Sequence, residues 1–398
     1  MSVEQGQRYA PAPKTSALAI WSLVLSLLGA CGGFFAAGAV ICGHLALANI
    51  KASAGRLGGQ GLAIAGLVIG YIVLAVWATI VLGLFFAGSL AGKVSHEKDA
   101  EAQSLFAISE TVVPTFPALP EWQNIVDSKV KVMQFSLPES GPGAAMSLRV
   151  YMPPGDHPDA SLACVLTAPA GTNLLSGVNL DPLNDQTYHD ESLPYAEAGM
   201  AVVMYSIDGE SDETVQGEEA EADEMKRAYL EFKAASAGVV NGRNALEFAW
   251  AHLPMVDRGR IYSAGHSSAA TLSLLMAEHE PRLAGSLAYA PAADLEERFK
   301  ELTEQPFVDL ALPGIKYFIR RSSPKTHAAE LTRPLFVFFA EDDQMASIDS
   351  TRALLEKMPS KSKLTFRTVA KGGHYQSMIE VAIPEGIEWI RAQDGNDE

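Results

Sequence analysis

The stretch RIYSAGHSSAATLSLLMAE, residues 260–278, is the most informative part of this chain. Its first five residues have the composition of a short buried strand, and its last nine residues have the pattern of a helix. The pentapeptide GHSSA between them therefore lies at a strand-to-helix turn. A serine at such a turn is held in a strained, exposed position with its hydroxyl directed away from the sheet, which makes Ser267 a candidate nucleophile. The other residues of this candidate nucleophile elbow are Gly265, His266 and Ala269.

A serine hydroxyl is a weak nucleophile at neutral pH, so Ser267 needs a base and a group that orients the base. In PLFVFFAEDD, residues 334–343, an apolar run of strand length is followed at once by three acidic residues. In LTFRTVAKGGHY, residues 364–375, a strand-like segment leads through two glycines to His374, the candidate base. The chain order of serine, acid and histidine differs from the orders in chymotrypsin and subtilisin and is that of α/β-hydrolases.

From about residue 130 to the C terminus, the chain resembles the α/β-hydrolase superfamily in its dienelactone-hydrolase and prolyl-oligopeptidase-like branch. VDRGRI, residues 256–261, resembles the segment that leads those enzymes into the nucleophile strand. FAEDD, which ends at Asp343, resembles their H-G-x-x-D acid loop with Phe-Ala in place of His-Gly. The resemblance implies that Asp343 is the catalytic acid, with Asp342 as the alternative. Ala269 departs from the family pattern, because the elbow motif ends there in glycine.

The resemblance also implies where the oxyanion of an acyl-transfer reaction is bound. The expected donors are the backbone N–H of Ser268, directly after the nucleophile, and one N–H from the loop after an early strand. LACVLT, residues 162–167, has the pattern of that strand, and APAGTN, residues 168–173, is then the loop. Gly171 and Thr172 are the candidate donors in this loop.

Each of these residues also has a purely structural interpretation. Ser267 is of a type favoured as a helix N-cap, and His374 has the setting of an ordinary loop histidine. Asp343 is placed to cap a helix running from about Ser347 to Met358. We interpret His266, beside the nucleophile, as packing or lining the pocket. No set of residues has metal-ligand spacing, no cofactor is implied, and the three scattered cysteines indicate no disulfide framework.

The N-terminal quarter has a different composition. Two long apolar stretches, roughly residues 17–50 and 59–90, contain no Asp, Glu, Lys or Arg. Each exceeds the roughly 20 residues that a helix needs to cross a hydrocarbon core. We therefore predict a two-span transmembrane hairpin over residues 17–91, with the lipid bilayer as its partner. Pairs of glycines spaced for close helix packing are Gly29 with Gly33 and Gly66 with Gly70.

Part of this region resembles a small two-helix membrane module known as domain of unknown function 4190. The residues that carry the resemblance are GHLALANIK at 43–51 and GRLGGQGLA at 55–63, and the resemblance covers about residues 13–90. It implies no chemistry, so we interpret the module as an anchor of a two-pass integral membrane protein. The count of flanking basic residues only slightly favours cytoplasmic tails, and the side on which the catalytic domain lies stays open.

These observations predict four segments: an N-terminal tail over residues 1–16, the two-span module over 17–91, a linker over 92–123 and a catalytic domain over 124–398. The last segment is long enough for one α/β-hydrolase fold, a mostly parallel, doubly wound sheet of about eight strands. We expect the first two strands to form an antiparallel hairpin. The predicted strands are Val130–Phe135, Ser147–Met152, Leu162–Thr167, Ala201–Ser206, Arg260–Ala264, Gly285–Ala290, Leu335–Ala340 and Leu364–Val369.

Two further segments are predicted from their pattern. Residues 208–224 are densely acidic and suit a solvated helix start or a loop, and residues 228–253 have the periodicity of a helix. The net charge of −17 without a basic patch argues against nucleic acid as a partner.

The function predicted from the sequence is a membrane-anchored serine hydrolase that cleaves an ester, lactone or amide bond through an acyl-enzyme. Its substrate is a small-molecule ester or a peptide. The alternatives are a peptidase of the prolyl-oligopeptidase-like type and a catalytically silent hydrolase fold that serves as a scaffold or sensor at the membrane. The oligomeric state stays open.

Overall fold

The computed structural model describes residues 13–138, 141–183 and 189–394. Most of the N-terminal tail predicted for residues 1–16 lies outside this part of the chain. The described residues form two compact units, which divide between Glu97 and Lys98.

In the N-terminal unit, the first apolar stretch is divided between two helices. A short 3-10 turn over Gly29–Cys31, followed by Gly32 in an extended conformation, ends the first helix before the second begins. Among the described residues, the second helix and the Gln60–Gly83 part of the third are the two that are long and apolar enough to cross a membrane. The elements of this unit are β1 (Lys14–Thr15), α1 (Ala17–Leu28), α2 (Gly33–Ala52), β2 (Leu57–Gly58) and most of α3 (Gln60–Ala102), whose residues from Lys98 onward belong to the C-terminal unit. Strands β1 and β2 pair in parallel.

Glycines let these helices approach one another closely. A Cβ atom on Gly66 of α3 would lie 2.3 Å from Oγ of Ser22 in α1, which no side chain tolerates without movement. A Cβ on Gly70, one turn further along α3, would lie 3.0 Å from Cγ2 of Val40 in α2. The glycine pair predicted from the sequence in α3 therefore faces both neighbouring helices, as small-residue packing requires.

The C-terminal unit contains a mixed set of strands and helices. Its strands are β3 (Gln123–Asn124), β4 (Lys131–Ser136), β5 (Ser147–Met152), β6 (Leu162–Thr167), β7 (Ala201–Tyr205), β8 (Val256–His266), β9 (Gly285–Tyr289), β10 (Leu335–Ala340) and β11 (Leu364–Val369). Its helices are α4 (His189–Glu197), α5 (Glu218–Ala234), α6 (Val239–His252), α7 (Ser268–His279), α8 (Leu295–Arg298), α9 (Lys300–Thr303), α10 (Val308–Ala311), α11 (Ile315–Arg321), α12 (Ile348–Glu356) and α13 (Ile383–Asp394).

The strands form one nine-stranded sheet in the order β11-β10-β9-β8-β6-β7-β5-β4-β3. The six strands from β11 to β7 in this order are parallel, whereas β5, β4 and β3 add to the sheet in antiparallel pairs. Every residue of β6 and β10 is buried, because helices cover both faces of a parallel sheet. The prediction of a mostly parallel, doubly wound α/β fold is confirmed, including the antiparallel pair β4 and β5.

One helix prediction is wrong in its extent. The periodic segment 228–253 is not one helix but parts of two, α5 and α6, with α5 beginning ten residues earlier at Glu218 in the acidic stretch. Between the two helices Ser236, Ala237 and Gly238 all have a positive φ, at 56°, 56° and 86°. Three successive left-handed residues cannot continue a right-handed helix, and an apolar period does not reveal them.

The segment after residue 98 packs into the C-terminal unit. Phe106 and Ile108, which lie in the segment predicted as a linker, are buried in its main hydrophobic core. Arg243 of α6 donates a hydrogen bond of 2.9 Å to the carbonyl oxygen of Thr111. This stretch is therefore held by both apolar and polar contacts.

Candidate active site

Ser267 lies at a sharp turn between β8 and α7. Its backbone has φ 55° and ψ −117°, a conformation that a residue with a side chain adopts only when its surroundings enforce it. The Ser267 N–H donates to the carbonyl oxygen of Tyr289 in β9 at 2.9 Å, and the Ser267 carbonyl accepts from the N–H of Thr271 at 3.1 Å. The turn is thus fixed to the neighbouring strand on one side and to the following helix on the other.

Gly265 makes the turn possible by leaving room for the start of α7. A Cβ atom at this position would lie 2.4 Å from both the carbonyl carbon and the carbonyl oxygen of Ala269. It would also lie 2.9 Å from the Ala269 Cβ, and Ala269 is itself buried. The methyl group that distinguishes Ala269 from the glycine of the related motif is therefore accommodated against a glycine.

Asp343 and His374 meet at the carboxyl ends of β10 and β11. Nδ1 of His374 lies 2.7 Å from Oδ2 of Asp343, and the Asp343 side chain is only 1% exposed against 19% for the histidine. The other carboxylate oxygen, Oδ1, accepts the backbone N–H groups of Met345 at 2.7 Å and Ala346 at 3.2 Å. The carboxylate is thus held by its own loop and faces the imidazole.

The neighbouring carboxylate has a different contact set. Asp342 accepts the backbone N–H of Gly373 at 2.8 Å and that of Gly372 at 3.3 Å, so it holds the loop that carries His374 rather than the imidazole itself. The tight loop requires these glycines, because both have a positive φ, at 128° for Gly372 and 61° for Gly373. Of the two acids that the sequence leaves open, Asp343 is the one that contacts the imidazole of His374.

His266 connects the nucleophile turn with the histidine loop. Its Nε2 lies 2.8 Å from the carbonyl oxygen of His374, and the two imidazole rings are 4.5 Å apart between centroids. The loop of His374 is therefore tied directly to the residue that precedes Ser267. The sequence interpretation of His266 as packing or pocket lining does not include this bond.

The candidate oxyanion donors lie on two elements. Ser268 is the first residue of α7, where the backbone N–H has no acceptor within the helix. The Thr172 N–H donates to the Oγ atom of Ser268 at 3.1 Å. Of the two candidate donors in this loop, Gly171 is therefore the one whose N–H does not bond to Ser268. Gly171 has a φ of 91°, a conformation that favours glycine.

A polar cavity of about 900 Å³ adjoins this loop. It extends from the candidate oxyanion loop to the start of the acidic segment that precedes α5. Arg227, the cation on its wall, is paired with Glu224 and Glu231, each at 2.6 Å. Lining residues include Gly171, Thr172, Asn173, Asp181, Glu210 and Arg227.

Comparisons with known proteins agree with this architecture. Residues 18–88 match the family model described as "Domain of unknown function (DUF4190)". An acetyl xylan esterase from Paenibacillus sp. R4 is similar in structure with a TM-score of 0.50 at 16% identity, covering 68% of this chain and 87% of the esterase. Acetyl xylan esterase 1 from Thermoanaerobacterium sp. JW/SL YS485 gives a TM-score of 0.50 at 14% identity, covering 75% of this chain and 93% of the other. A search of curated proteins returns no match. The C-terminal unit thus has the α/β-hydrolase fold.

Proposed function

We propose, from the α/β-hydrolase fold of the C-terminal unit, that this chain is a serine hydrolase with Ser267, His374 and Asp343 as its catalytic triad. The observation that carries the proposal is the contact of 2.7 Å between His374 Nδ1 and Asp343 Oδ2, in a loop bonded to the residue before the strained Ser267. A buried carboxylate on Nδ1 favours the tautomer with the proton on that nitrogen, which leaves Nε2 as a base.

The proposed reaction is acyl transfer in two steps. Ser267 Oγ attacks the carbonyl carbon of the substrate while Nε2 of His374 accepts the hydroxyl proton. The imidazolium then gives this proton to the leaving alcohol as the bond from carbon to the leaving oxygen breaks, which leaves an acyl-enzyme. Water then attacks the carbonyl carbon of the acyl-enzyme while His374 accepts a proton from it. The bond from this carbon to Ser267 Oγ breaks, the carboxylic acid leaves, and the imidazolium returns the proton to Oγ. Asp343 stabilises the imidazolium in both steps.

We propose that the developing oxyanion binds to the backbone N–H groups of Ser268 and Gly171. The helix position of Ser268 supports the first donor, because an N–H at a helix N terminus points outward and favours negative charge. The engagement of the Thr172 N–H with Ser268 supports Gly171 over Thr172 as the second. Loss of one such donor typically costs about a hundred- to thousand-fold in rate.

The substrate class that we propose is a small ester, with lactones and amides as related acyl compounds. We propose that the polar cavity of about 900 Å³ that adjoins the candidate oxyanion loop receives the alcohol part of such a substrate. The two similar structures with a TM-score of 0.50 are acetyl xylan esterases, and their activity makes acetyl esters the first compounds to assay. A p-nitroanilide with the same acyl group, measured in parallel, separates ester from amide cleavage.

We further propose that α2 and the Gln60–Gly83 part of α3 anchor the chain in a lipid bilayer. Their length and apolar composition support this. The full chain should sediment with membranes and resist extraction by alkaline carbonate, whereas release into the soluble fraction would contradict the anchor.

The triad is tested on the full chain in detergent with a fluorophosphonate probe and with p-nitrophenyl acetate and butyrate. Wild type should be labelled and turn over ester, Ser267→Ala should lose labelling, and His374→Ala should lose about a thousandfold or more in kcat. Ser362→Ala is the matched control, because this exposed serine precedes β11 whereas His374 follows it. Its labelling and its turnover of ester should equal those of wild type. A folded wild-type protein that is neither labelled nor active would overturn the proposal in favour of a silent scaffold.

A further inference from the structure

His266 is a second histidine beside the nucleophile, and one of its contacts shows that Nε2 carries a proton. Nε2 lies 2.8 Å from the carbonyl oxygen of His374. Because a carbonyl oxygen can only accept, Nε2 carries a proton and donates it to this bond. His266 is 4% exposed, so the bond is shielded from competing water. The imidazole therefore holds the backbone of the catalytic histidine from the side of the nucleophile strand.

The other nitrogen of this ring faces a buried carboxylate. Nδ1 of His266 is buried without a hydrogen-bond partner among the described residues. It lies 3.8 Å from Oε1 of Glu191, and the two side chains are 5% and 8% exposed. This separation is too long for a hydrogen bond; it lies within the range of an ion pair, which forms when the ring carries a proton on both nitrogens. A carboxylate is rarely buried without a compensating group, and the imidazole of His266 is a base within ion-pair distance of Glu191.

Helix α4, which carries Glu191, contacts the same region at two further points. The Tyr375 hydroxyl, one residue after the catalytic histidine, donates to Oδ2 of Asp190. The Tyr195 and Tyr289 hydroxyl oxygens lie 2.6 Å apart, and it is the Tyr289 carbonyl that accepts the Ser267 N–H. Helix α4 thus contacts both Tyr289, which holds the nucleophile turn, and the histidine loop.

We propose that Glu191 and His266 are positioning residues that fix the loop of His374 relative to Ser267. Glu191 orients the His266 ring across the separation of 3.8 Å, and His266 passes this constraint to His374 through its carbonyl bond. The inference rests on the proposed function of His374 as the base. A displacement of a catalytic group by about 1 Å can cost on the order of a hundredfold in rate, which is the effect that this contact prevents.

The test uses the full chain in detergent, p-nitrophenyl acetate kinetics and paired substitutions. His266→Leu removes the donor, whereas His266→Gln keeps an amide N–H that reaches the same carbonyl. Glu191→Leu removes the acid, whereas Glu191→Gln keeps a polar group of the same shape. His157→Leu is the matched control. Nε2 of His157 lies 3.0 Å from the carbonyl oxygen of Pro153, and this contact is outside the site.

We expect His266→Leu and Glu191→Leu each to lower kcat by about 10- to 100-fold, with KM within about threefold of wild type. The two glutamine variants should recover kcat to within about fivefold, and the double leucine variant should be no slower than the worse single variant. Thermal unfolding of every variant shows whether a loss of activity reflects a loss of fold. A merely structural role would not produce this rescue by the conservative variants.

Two results would overturn the inference. One is a wild-type kcat for folded His266→Leu, and the other is a folded His266→Gln that is no better than the leucine variant. Fluorophosphonate labelling of wild type distinguishes a failure of the proposed triad from a failure of the proposed positioning role. If wild type is labelled at Ser267 and the variants are unaffected, only the positioning role fails. If wild type is neither labelled nor active, the proposed function fails and the positioning role fails with it.

Discussion

Replacement of Asp343 by asparagine changes one atom at the centre of the proposed triad. Oδ1 of Asp343 accepts two backbone N–H groups, from Met345 at 2.7 Å and Ala346 at 3.2 Å, so this position must remain an oxygen. The amide nitrogen of Asp343→Asn therefore takes the place of Oδ2, which lies 2.7 Å from Nδ1 of His374. An amide N–H there donates to Nδ1 and forces the imidazole proton onto Nε2, where it prevents the ring from acting as a base.

The expected loss follows from this forced tautomer. Trapping a catalytic histidine in the wrong tautomer costs about 10⁴-fold in kcat in a serine enzyme with the same arrangement. That factor corresponds to about 5 kcal/mol of transition-state stabilisation. The fold should change little, because the two backbone hydrogen bonds to Oδ1 are kept and the side-chain volume is the same. A change in the free energy of unfolding of about 1 kcal/mol is expected for the charge removed from one hydrogen-bonded site.

The assay is p-nitrophenyl acetate turnover of the full chain in detergent, with thermal unfolding alongside. Asp342→Asn is the matched control, because it places the same chemical change on the adjacent residue. Its amide oxygen keeps the bond of 2.8 Å from Gly373 and gives up the longer bond of 3.3 Å from Gly372, so a loss within about tenfold is expected. Activity of Asp343→Asn within tenfold of wild type, or a larger loss in Asp342→Asn, would refute the reasoning.

Three other outcomes are expected. Gly265→Ala should lower the free energy of unfolding, measured by chemical denaturation, by about 1–3 kcal/mol, because its Cβ would lie 2.4 Å from backbone atoms of Ala269. Gly259→Ala is the control. Its Cβ would have its nearest contact at 3.4 Å, so its free energy of unfolding should be close to that of wild type. Burial and, to a lesser extent, the nearby Glu330 raise the pKa of Glu278 well above its usual value, so its contribution to stability falls as pH rises above about 4.5. The free energy of unfolding of Glu278→Gln should therefore increase relative to that of wild type between pH 5 and pH 8. A difference between the two proteins that stays the same over this pH range would contradict the prediction. A fragment that starts at residue 98 should fold, and one that starts at residue 124 should unfold at a lower temperature. The shorter fragment lacks Phe106 and Ile108 of the hydrophobic core and Thr111, whose carbonyl oxygen accepts a hydrogen bond from Arg243. Equal unfolding temperatures would show that residues 98–123 do not contribute to stability.

The sequence predicts the strands well because each is a short apolar run bounded by turn residues. Four of them, including Leu162–Thr167 and Leu335–Ala340, have the predicted bounds. The buried run of β10 and the two glycines before His374 also place the acid and histidine loops correctly at neighbouring strand ends. Sequence patterns succeed here because period and chain breaks are local properties.

What the sequence does not predict depends on contacts between distant residues. Asp342 and Asp343 are adjacent and chemically alike, and only the arrangement of the loop after β10 decides which one faces the imidazole. Glu191 is separated from His266 by 75 residues and lies in a segment with no catalytic motif, so no spacing rule connects them. The left-handed residues after α5 are missed for a related reason, since Ser236 and Ala237 have no preference for that conformation.

The geometry of Ser267 distinguishes the two interpretations that its sequence leaves open, a helix cap and a strained elbow. Ordinary caps occur in this chain: Ser347 has φ −89° and its side chain accepts the N–H of Ser350, and Asp294 has φ −124° and accepts the N–H of Glu297. Ser267 has φ 55° and makes no side-chain cap bond to α7. Left-handed backbone of this kind costs on the order of 1–3 kcal/mol and stabilises nothing as a cap. The strain persists because β8, the Tyr289 carbonyl and the close approach of Gly265 to Ala269 enforce it. As a consequence, the Ser267 hydroxyl makes no cap hydrogen bond to its own helix.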